Sequence, residues 1–364
     1  MILHLNTADT WRGGERQTLY LADGLKAKSI PQIIVGQPNS ELEKRASENH
    51  FFIPLKMRGE WDLKSVFGLI EIIKKYNIRL LHAHTAKAHT IALLAKFIYP
   101  NFYLTVSRRV DFHIGNNIFS KKKYTSPLID MFLTVSNKIK EILIEDGINP
   151  EKIVTVYSGI DPKRFSGRKS ISYLKKEFGI APKTIVLGNI AALVDHKDQE
   201  TLIKAIALLP GNLKFKLLIV GEGELESKLK QLSTDLRLQD KIIFTGFRND
   251  IPEILNLLDI FTMTSKEEGL GTSILDAMIN QLPLVVTNGG GIPEMIEHNK
   301  GGFVADVKNV IQIYEYLLEL INNPSLRKEF GMYNGKEVKR FFIDSTINKT
   351  VYAYSSLLGE RFWE

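Results

Sequence analysis

The sequence predicts an α/β protein made of two Rossmann-like, doubly wound domains that face each other across a cleft. The first observation is length, because 364 residues exceed one ordinary hydrophobic core and suit two domains. The second is an alternation of short apolar runs with helical patterns, which is typical of βαβ units. The third is that this alternation stops at a loop-like stretch, residues 158–170, and then starts again. We therefore expect domains over residues 1–165 and 166–344.

The predicted strands are short apolar runs in both halves of the chain. In the first half they are ILHLNT (2–7), IIVG (33–36), FFIPL (51–55), IRLLHAH (78–84), FYLTVS (102–107) and FLTVS (132–136). In the second half they are KTIVLGNI (183–190), FKLLIVG (215–221), KIIFTGF (241–247), IFTMT (260–264) and LPLVVT (282–287). Patterns such as SVFGLIEIIKKY lie between them and predict helices. The C-terminal stretch, residues 345–364, is also helix-like and can pack on either domain, including the first, which it would then complete.

The composition excludes several classes of protein. With 44% hydrophobic and 24% charged residues, the chain is typical of globular proteins. No apolar run reaches the roughly 18 residues of a spanning helix, and the first residues lack the pattern of a signal peptide. We therefore expect a cytoplasmic protein. The absence of cysteine excludes disulfides and thiolate catalysis, and it leaves a structural zinc site without its commonest ligand.

The positive charge is concentrated in the first half. Residues 1–165 contain 24 Lys and Arg against 16 Asp and Glu, a net +8, and the remainder contains 24 against 25, a net −1. This asymmetry suggests an anionic partner for one half only. An anionic membrane surface, the inner face of the cytoplasmic membrane, is favoured over nucleic acid because no module alternates basic residues with exposed aromatics.

One segment of the first half mixes cations with apolar side chains. Residues 107–132 place cations around apolar groups, a combination suited to a membrane interface. The cations are Arg108, Arg109, Lys121, Lys122 and Lys123, and the apolar groups are Phe112, Ile118 and Phe119. The alternative is a loop whose aromatic side chains pack inward and whose lysines are solvated.

Two loops at strand ends carry candidate binding residues. Gly13 and Gly14 separate the first strand from the first helix, where a doubly wound sheet presents backbone amides to ligands. The dinucleotide spacing G-x-G-x-x-G is absent, so a simple tight turn is equally consistent with this pair. Lys197 precedes a helix expected to begin near Asp198, and its ammonium group can reach a phosphate at that helix start. A solvated surface lysine is the alternative.

Two glycine-rich loops follow each other later in the chain. In SKEEGLGTSILDAM (265–278), Thr272 is a suitable helix N-cap, and Asp276 is expected near the positive end of that helix but off its buried face. Three glycines at 289–291 precede Pro293, which suits a first helical position. Two such strand-to-helix turns can direct their N-termini at one pocket and hold an anion there.

These loops resemble the signature of the retaining glycosyltransferases of family 4, which have the GT-B fold and use nucleotide-activated sugars. The resembling stretch is SKEEGLGTSILDAMINQLPLVVTNGGGIPEMI, and WRGGERQTL, LLHAHTAKA, IVTVYSGIDPKRF and LIVGEGELESKL extend the similarity over most of the chain. The resemblance implies a hexosyltransferase that acts on an envelope glycan or glycolipid, of the lipopolysaccharide or capsule type.

The resemblance also implies roles for two acidic residues. Glu268 matches the first acid of the family motif and would contact the transferred sugar. Asp276 stands where the second acid is usually a glutamate that holds the ribose hydroxyls. Because aspartate is one methylene shorter, the contact with ribose is expected to be longer or water-mediated.

The cationic clamp of the family is only half present. Lys197 matches the lysine that binds the diphosphate, but Ala192 occupies the position of the usual arginine. Candidates to replace it are Arg108, Arg109 and Arg248. The glycine loops would contribute backbone amides or walls around the phosphates through Gly13, Gly14, Gly271, Thr272, Gly290 and Gly291.

The histidines of the first half have several interpretations. His82 and His84 share one predicted strand face and, with His89, can be pictured as a metal site, but we favour satisfied interior or cleft histidines because no Cys or Glu partner is near. Ser107 stands where the family often has a histidine. His113 is a candidate catalytic replacement for it.

The expected co-substrate is a UDP- or GDP-sugar, and no metal is expected because the sequence shows no acidic metal cluster. Expected partners are a glycan or glycolipid acceptor and an anionic membrane surface, and nucleic acid is not among them. Two other functions remain open: an epimerase or phosphorylase of the same fold, and a noncatalytic sugar-nucleotide-binding partner of another transferase.

Overall fold

A computed structural model describes residues 1–115, 118–167 and 170–359. The chain forms two compact units. The first contains Met1–Gly159 and the C-terminal segment from Ile343, and the second contains Ile160–Phe342. The predicted domains are 1–165 and 166–344, so the observed boundary after Gly159 lies slightly earlier in the chain. Of the predicted C-terminal helix, residues 360–364 lie outside the described residues.

The elements of the first unit alternate between strand and helix. Along the chain they are β1 (Ile2–Asn6), α1 (Gly13–Ala27), β2 (Gln32–Gly36), α2 (Glu41–Ala46), β3 (Phe52–Pro54), α3 (Leu63–Lys75), β4 (Leu80–Ala83), α4 (Ala86–Ile98), β5 (Tyr103–Arg108), α5 (Ile118–Tyr124), β6 (Met131–Thr134), α6 (Asn137–Glu145) and β7 (Ile153–Thr155). The strands form one parallel sheet in the order β3-β2-β1-β4-β5-β6-β7.

The second unit repeats the same alternation. Its elements are α7 (Ser172–Glu177), β8 (Ile185–Ile190), α8 (Gln199–Ala207), β9 (Phe215–Val220), α9 (Glu226–Asp235), β10 (Ile242–Gly246), α10 (Ile251–Leu257), β11 (Ile260–Met263), α11 (Thr272–Ile279), β12 (Leu284–Thr287), β13 (Gly302–Ala305), α12 (Val310–Asn322) and α13 (Pro324–Glu337). Its parallel sheet has the order β10-β9-β8-β11-β12-β13. The last helix, α14 (Ile343–Leu358), belongs to the first unit.

Both sheets confirm the predicted α/β class with two Rossmann-like folds. In each sheet the strand order reverses beside the first strand of the unit, and ligands of doubly wound sheets bind at such a switch point. The switch lies between β1 and β4 in the first unit and between β8 and β11 in the second. The loops that follow these four strands are therefore the places where binding residues are expected.

Burial explains why the apolar runs form strands. All five residues of β1 are buried, as expected for a parallel strand covered on both faces. Helix starts carry local caps: the hydroxyl of Thr85 accepts the Ala88 amide at 3.2 Å before α4, and Ser136 accepts the Ile139 amide at 3.3 Å before α6.

Two strands were absent from the sequence prediction. β7 has three residues and β13 has four, and both are edge strands of their sheets. Each pairs with one other strand only, and this pairing with a neighbouring strand reveals them. No helix within the described ranges has the length and apolar character needed to cross a bilayer.

Candidate functional site

Three loops at the carboxyl ends of β8, β11 and β12 meet in the second unit. The amide of Lys266, in the loop after β11, donates to the carbonyl of His196, in the loop after β8, at 2.8 Å. The amide of Gly291, in the loop after β12, donates to the carbonyl of Glu268 at 2.8 Å. The structure thus brings together the predicted lysine loop and both later glycine loops at the switch point of the second sheet.

Glu268 and Lys197 form an ion pair inside this loop cluster. The Lys197 ammonium donates to Glu268 Oε2, and both side chains are largely buried. Ser265 Oγ lies 3.3 Å from the same carboxylate oxygen. Thr264 stabilises the lysine loop, because its hydroxyl donates to the carbonyl of Asp198 at 2.9 Å. The two residues expected to contact sugar and phosphate therefore neutralise each other in the structure.

Asp276 lies on a buried surface of α11, which corrects the expectation that it faces away from the buried side of the helix. Its Oδ2 accepts a hydrogen bond from Arg164 Nη1 at 3.0 Å. Both side chains are mostly buried, so the pair is less screened by water than a surface ion pair. The second acid of the motif, like the first, has a cation as its partner.

Arg164 was not identified as a site residue from the sequence. It belongs to the 3₁₀ turn Pro162–Phe165, within the stretch that was interpreted as a loop. The stretch that contains it, IVTVYSGIDPKRF, was a signal of family resemblance, but a contact between Arg164 and a residue 112 positions later cannot be found from local spacing.

The start of α11 differs from the predicted one. The N-cap is Gly271, which has a left-handed backbone with φ of 88°, and Thr272 is the first helical residue. A Cβ atom at Gly271 would lie 3.3 Å from Glu268 Cγ and 3.3 Å from Met295 Cε. Glycine is favoured here by the left-handed backbone, and a side chain would also displace these neighbours by a few tenths of an ångström. The free amides at this helix start are the predicted donors to an anion.

The second glycine loop is followed by a single 3₁₀ turn, Ile292–Glu294, and not by the α-helix that was expected. Pro293 occupies an early position of that turn, as predicted. A Cβ atom at Gly289 would lie 2.3 Å from the carbonyl oxygen of Ser265, so the loop packs directly on its neighbour. Of the two turns, only the one before α11 presents an α-helix start, and Gly290 and Gly291 remain predicted wall residues.

Ala192, at the predicted clamp position, offers no cationic side chain to a phosphate. Ala192 contributes its carbonyl oxygen, which accepts from Gln199 Nε2 at 3.1 Å. The guanidinium of Arg248 donates to Asp250 at 2.7 Å and to Glu177 at 2.6 Å, and these bonds raise the pKa of Arg248 above its ordinary value. A phosphate would compete with two carboxylates for Arg248, so its role in donor binding stays a prediction.

In the first unit, Gly13 and Gly14 form the first turn of α1. The amide of Arg12 donates to Glu15 Oε2 at 2.9 Å, which is the glutamate half of a capping box at this helix start. A Cβ atom at Gly14 would lie 3.9 Å from Arg109 Cδ. Gly14 thus lies beside Arg109, which is one of the arginines expected from the sequence to bind phosphate.

Three histidines cluster at the switch point of the first sheet. Strand pairing places His4 beside His82, and His4 Nδ1 lies 3.0 Å from His84 Nε2. Ligand atoms of all three lie within 4.8 Å of one another. His82 is hydrogen-bonded through both ring nitrogens, to Tyr354 Oη at 2.6 Å and to Ser107 Oγ at 2.7 Å. The sequence pointed to His82 and His84, and His4 joins them only through strand pairing.

Burial lowers the pKa of each histidine in this cluster, to about 3 for His4. The rings of His4, His82 and His84 are therefore neutral at neutral pH. His89 lies apart from them on α4, where its ring packs edge-on against Tyr124 with centroids 4.9 Å apart.

His113 is an exposed residue of the first unit. Its Nδ1 lies 2.9 Å from Asp146 Oδ1, and its Nε2 lies 3.8 Å from Glu145. Nearby, the guanidinium of Arg108 donates to Tyr124 Oη at 2.8 Å and to the carbonyl of Phe112 at 2.6 Å. The catalytic role suggested for His113 stays a prediction.

Two family models match the chain, one for each half. The description "Glycosyltransferase Family 4" matches residues 11–164, and "Glycosyl transferases group 1" matches residues 171–337. Together with the two Rossmann-like units and the ligand loops at their switch points, these matches define an enzyme of the glycosyltransferase class with the GT-B fold. The chain belongs to glycosyltransferase family 4.

Individual relatives support the same class. The chain is 27% identical over 279 residues to N-acetyl-alpha-D-glucosaminyl L-malate synthase of Bacillus anthracis, covering 74% of this chain and 72% of the relative. It is 26% identical to an Escherichia coli UDP-Gal:alpha-D-GlcNAc-diphosphoundecaprenol alpha-1,3-galactosyltransferase, covering 82% and 84%. Among solved structures, HepE of Anabaena in complex with UDP and glucose superposes with a TM-score of 0.85 at 22% identity, covering 98% and 99%. This last likeness supports the fold.

Proposed function

We propose that the chain is a retaining glycosyltransferase that moves a sugar from a nucleotide-sugar donor to a cell-envelope glycan or glycolipid. The observation that carries the proposal is the Glu268–Lys197 pair beside the start of α11. Cleavage of a sugar–diphosphate bond leaves negative charge on the phosphate and positive charge on the sugar ring. A site for this reaction needs a cation and a helix N-terminus on one side and a carboxylate on the other.

The roles of these residues follow from their charges. Lys197 and the amides of Gly271 and Thr272 would stabilise the departing diphosphate, and Glu268 would contact the sugar. An ammonium group about 4 Å from a phosphate oxygen gains about 4 kcal/mol at an effective dielectric constant near 20, before desolvation. Donors held in place in this way are commonly worth about a hundredfold to a thousandfold in rate.

Asp276 would accept the ribose hydroxyls of the donor. Arg164 donates to one carboxylate oxygen of Asp276 and thereby restrains the orientation of that carboxylate. We assign Arg164 a positioning role in donor binding. The donor is proposed to be a UDP- or GDP-sugar bound without a metal ion, and the UDP-sugar named for the E. coli relative supports the first of these.

The proposal includes a peripheral location on an anionic membrane. Ile118 and Phe119 are exposed, as are Lys121 and Lys122, so α5 presents apolar and cationic side chains together. This arrangement supports the interfacial alternative for residues 118–122, and residues 116 and 117 lie outside the described residues. The expectation that Arg108 is an interface cation is wrong, because Arg108 is buried and donates to Tyr124 and Phe112. The E. coli relative is named for a diphosphoundecaprenol acceptor, which is a lipid, and the net +8 of residues 1–165 favours an anionic surface.

A donor screen tests the proposal directly. UDP-, GDP- and ADP-sugars would be compared by thermal shift, because a ligand of the folded state raises apparent stability. We expect one nucleotide class to stabilise the chain, with or without EDTA. Release of nucleoside diphosphate should then require acceptor, and the product should keep the donor's anomeric configuration by NMR.

Two results would contradict the proposal in different ways. Donor binding without turnover in any acceptor mixture would favour the noncatalytic partner, which the missing arginine at Ala192 also suggests. Turnover of the donor without an acceptor would favour an epimerase or phosphorylase.

A further inference from the structure

The first unit contains a large cavity at the carboxyl ends of β4 and β5. Its volume is about 1110 Å³, and it lies between α4 and α5. Pockets for drug-sized ligands are usually about 300–1,000 Å³. The cavity therefore has room for a ligand larger than a single sugar.

Apolar side chains form much of the cavity wall. Leu93 and Leu94 contribute from α4, and Phe112 and Phe119 lie at the rim. Phe119 is 69% exposed, and it packs edge-on against Trp61, which is 66% exposed, with ring centroids 6.3 Å apart. Large exposed aromatic groups beside a cavity are typical of a binding surface for apolar ligands.

Buried polar atoms of the wall lack hydrogen-bond partners. His89 is 1% exposed, lines the cavity, and has no partner at either ring nitrogen. The Nε atom of Arg109 is also buried without a partner. Because these nitrogens are inaccessible to solvent, a ligand in the cavity does not reach them in this conformation, and the charged side chains of the lining are the polar groups available to it.

The charges of the wall favour an anion. Arg108, Arg109, Lys122 and Lys123 line the cavity, and Glu60 is the carboxylate among its lining residues. Glu60 lies 3.5 Å from the Lys123 ammonium and balances only part of this charge. Burial lowers the pKa of Arg109 to about 10, so its guanidinium remains charged at neutral pH.

We propose that this cavity binds an anionic lipid, with a hydrocarbon chain against Leu94 and Phe119 and a phosphoryl group against Arg109 and Lys123. The inference rests on the proposed function and narrows its acceptor from glycans in general to a sugar carried on a lipid phosphate. A free glycan has no chain to cover the apolar wall, and a neutral lipid leaves the cations without a partner.

Farnesyl phosphate is a suitable probe because it combines a short chain with a phosphate and needs no donor. Its binding to the full chain would be measured by calorimetry in a detergent-free solution, beside farnesol, inorganic phosphate and a free disaccharide. We expect farnesyl phosphate to bind at least about tenfold more tightly than each of these, because only it satisfies both the apolar and the cationic wall.

Matched variants separate the cavity from the nearby surface. Leu94→Gln should weaken farnesyl phosphate binding about tenfold, whereas Phe97→Ser should not, since Phe97 lies on the same helix, is 77% exposed and is not a lining residue. Lys123→Gln should weaken binding about fivefold, whereas Lys121→Gln, two residues away and outside the lining, should not. Circular dichroism would check that all four variants fold.

Equal effects of lining and control variants would mean surface adsorption and would overturn the inference. Equal binding of farnesyl phosphate and inorganic phosphate would also overturn it. Donor turnover with a water-soluble acceptor distinguishes the two proposals. If that turnover is normal while farnesyl phosphate does not bind, the lipid inference fails and the proposed function stands. If farnesyl phosphate binds in the cavity but no donor is turned over, the lipid inference stands and the proposed function fails.

Discussion

The binding regions of the two units differ in whether their charged side chains are paired. In the second unit each motif acid has a cationic partner, Glu268 with Lys197 and Asp276 with Arg164. In the cavity of the first unit, cations outnumber carboxylates, and burial keeps the lining histidines His84 and His89 neutral. The ion pairs of the second unit keep the side chains of the site in place until a ligand replaces one partner. The cations of the first-unit cavity exceed the carboxylates there and would attract an anion. Four predictions test this contrast.

The largest expected effect is loss of stability of the first unit in acid. The pKa values of His4, His82, His84 and His89 are lowered by burial. Below about pH 6.5 the unfolded chain binds protons that the folded chain does not, so stability falls with falling pH, toward about 3 for His4. At about 1.4 kcal/mol per pH unit for each group, four groups together amount to about 5 kcal/mol per pH unit.

Urea unfolding at about pH 7 and about pH 5.5, followed by tryptophan fluorescence, measures this change. His4→Gln should reduce the pH slope by about 1 kcal/mol per pH unit, because one titrating group is removed. Equal stability at both pH values would show that the pKa values of these histidines are not lowered in the folded chain.

The next largest effect is on the rate of sugar transfer. Glu268→Gln and Lys197→Ala should each lower kcat about a hundredfold to a thousandfold, with a modest change in donor affinity, because both groups act as charge develops. Because the residues form one pair, the double variant should be only slightly slower than either single variant. Steady-state kinetics would measure this.

Lys266→Ala is the matched control for that experiment. Lys266 lies two residues before Glu268 and pairs with the exposed Asp195 at 2.6 Å. We expect a small change in kcat. An unchanged kcat in Lys197→Ala would remove Lys197 from the phosphate clamp.

A smaller effect is expected at the ribose end of the site. Asp276→Ala and Arg164→Gln should each raise the donor KM about tenfold and leave kcat nearly unchanged, because a hydrogen bond to a charged group is worth about 1.5–3 kcal/mol. Arg164→Lys should retain part of the affinity, and Asp276→Glu, which restores the family residue, should keep most activity. A fall in kcat without a change in KM would exchange the roles of Asp276 and Glu268.

The changes with the smallest expected effect on sugar transfer concern the membrane surface. Substituting Lys121, Lys122 and Lys123 by Ser should weaken cosedimentation with anionic vesicles, and the exposed pair Lys121 and Lys122 should account for it. At about 1 kcal/mol for each lysine, these two are worth about thirtyfold. About 0.5 M salt, with a Debye length near 4 Å, should weaken binding of the unmodified chain.

Lys123→Ser alone is the internal control, because its ammonium is held by Glu60 and by the carbonyl of Ala86 at 2.8 Å. It should change vesicle binding little, and activity on a short water-soluble acceptor should survive the triple change. Vesicle binding that is equal in the triple variant and the unmodified chain at low salt would exclude this segment from the membrane interface.

Local patterns were sufficient for much of the fold and for part of the candidate site. Apolar runs such as ILHLN predicted the strands, because a parallel strand buried on both faces is apolar at nearly every position. Gly271 and Lys197 were identified because they lie where a strand ends and a helix begins. The N-cap was misplaced at Thr272 because threonine is a common capping residue, whereas the chain enters α11 through Gly271 in a left-handed conformation.

The sequence by itself determined the fold class, the family and the loops in which Glu268, Lys197 and Asp276 lie. Tertiary structure alone decided which side chains meet: Arg164 with Asp276, His4 with His84, and the walls of the first-unit cavity. The physical reason is that periodicity and capping act over a few residues, whereas a parallel sheet aligns the ends of strands that are far apart along the chain. Contacts of that kind depend on strand order and register, which no short stretch of sequence encodes.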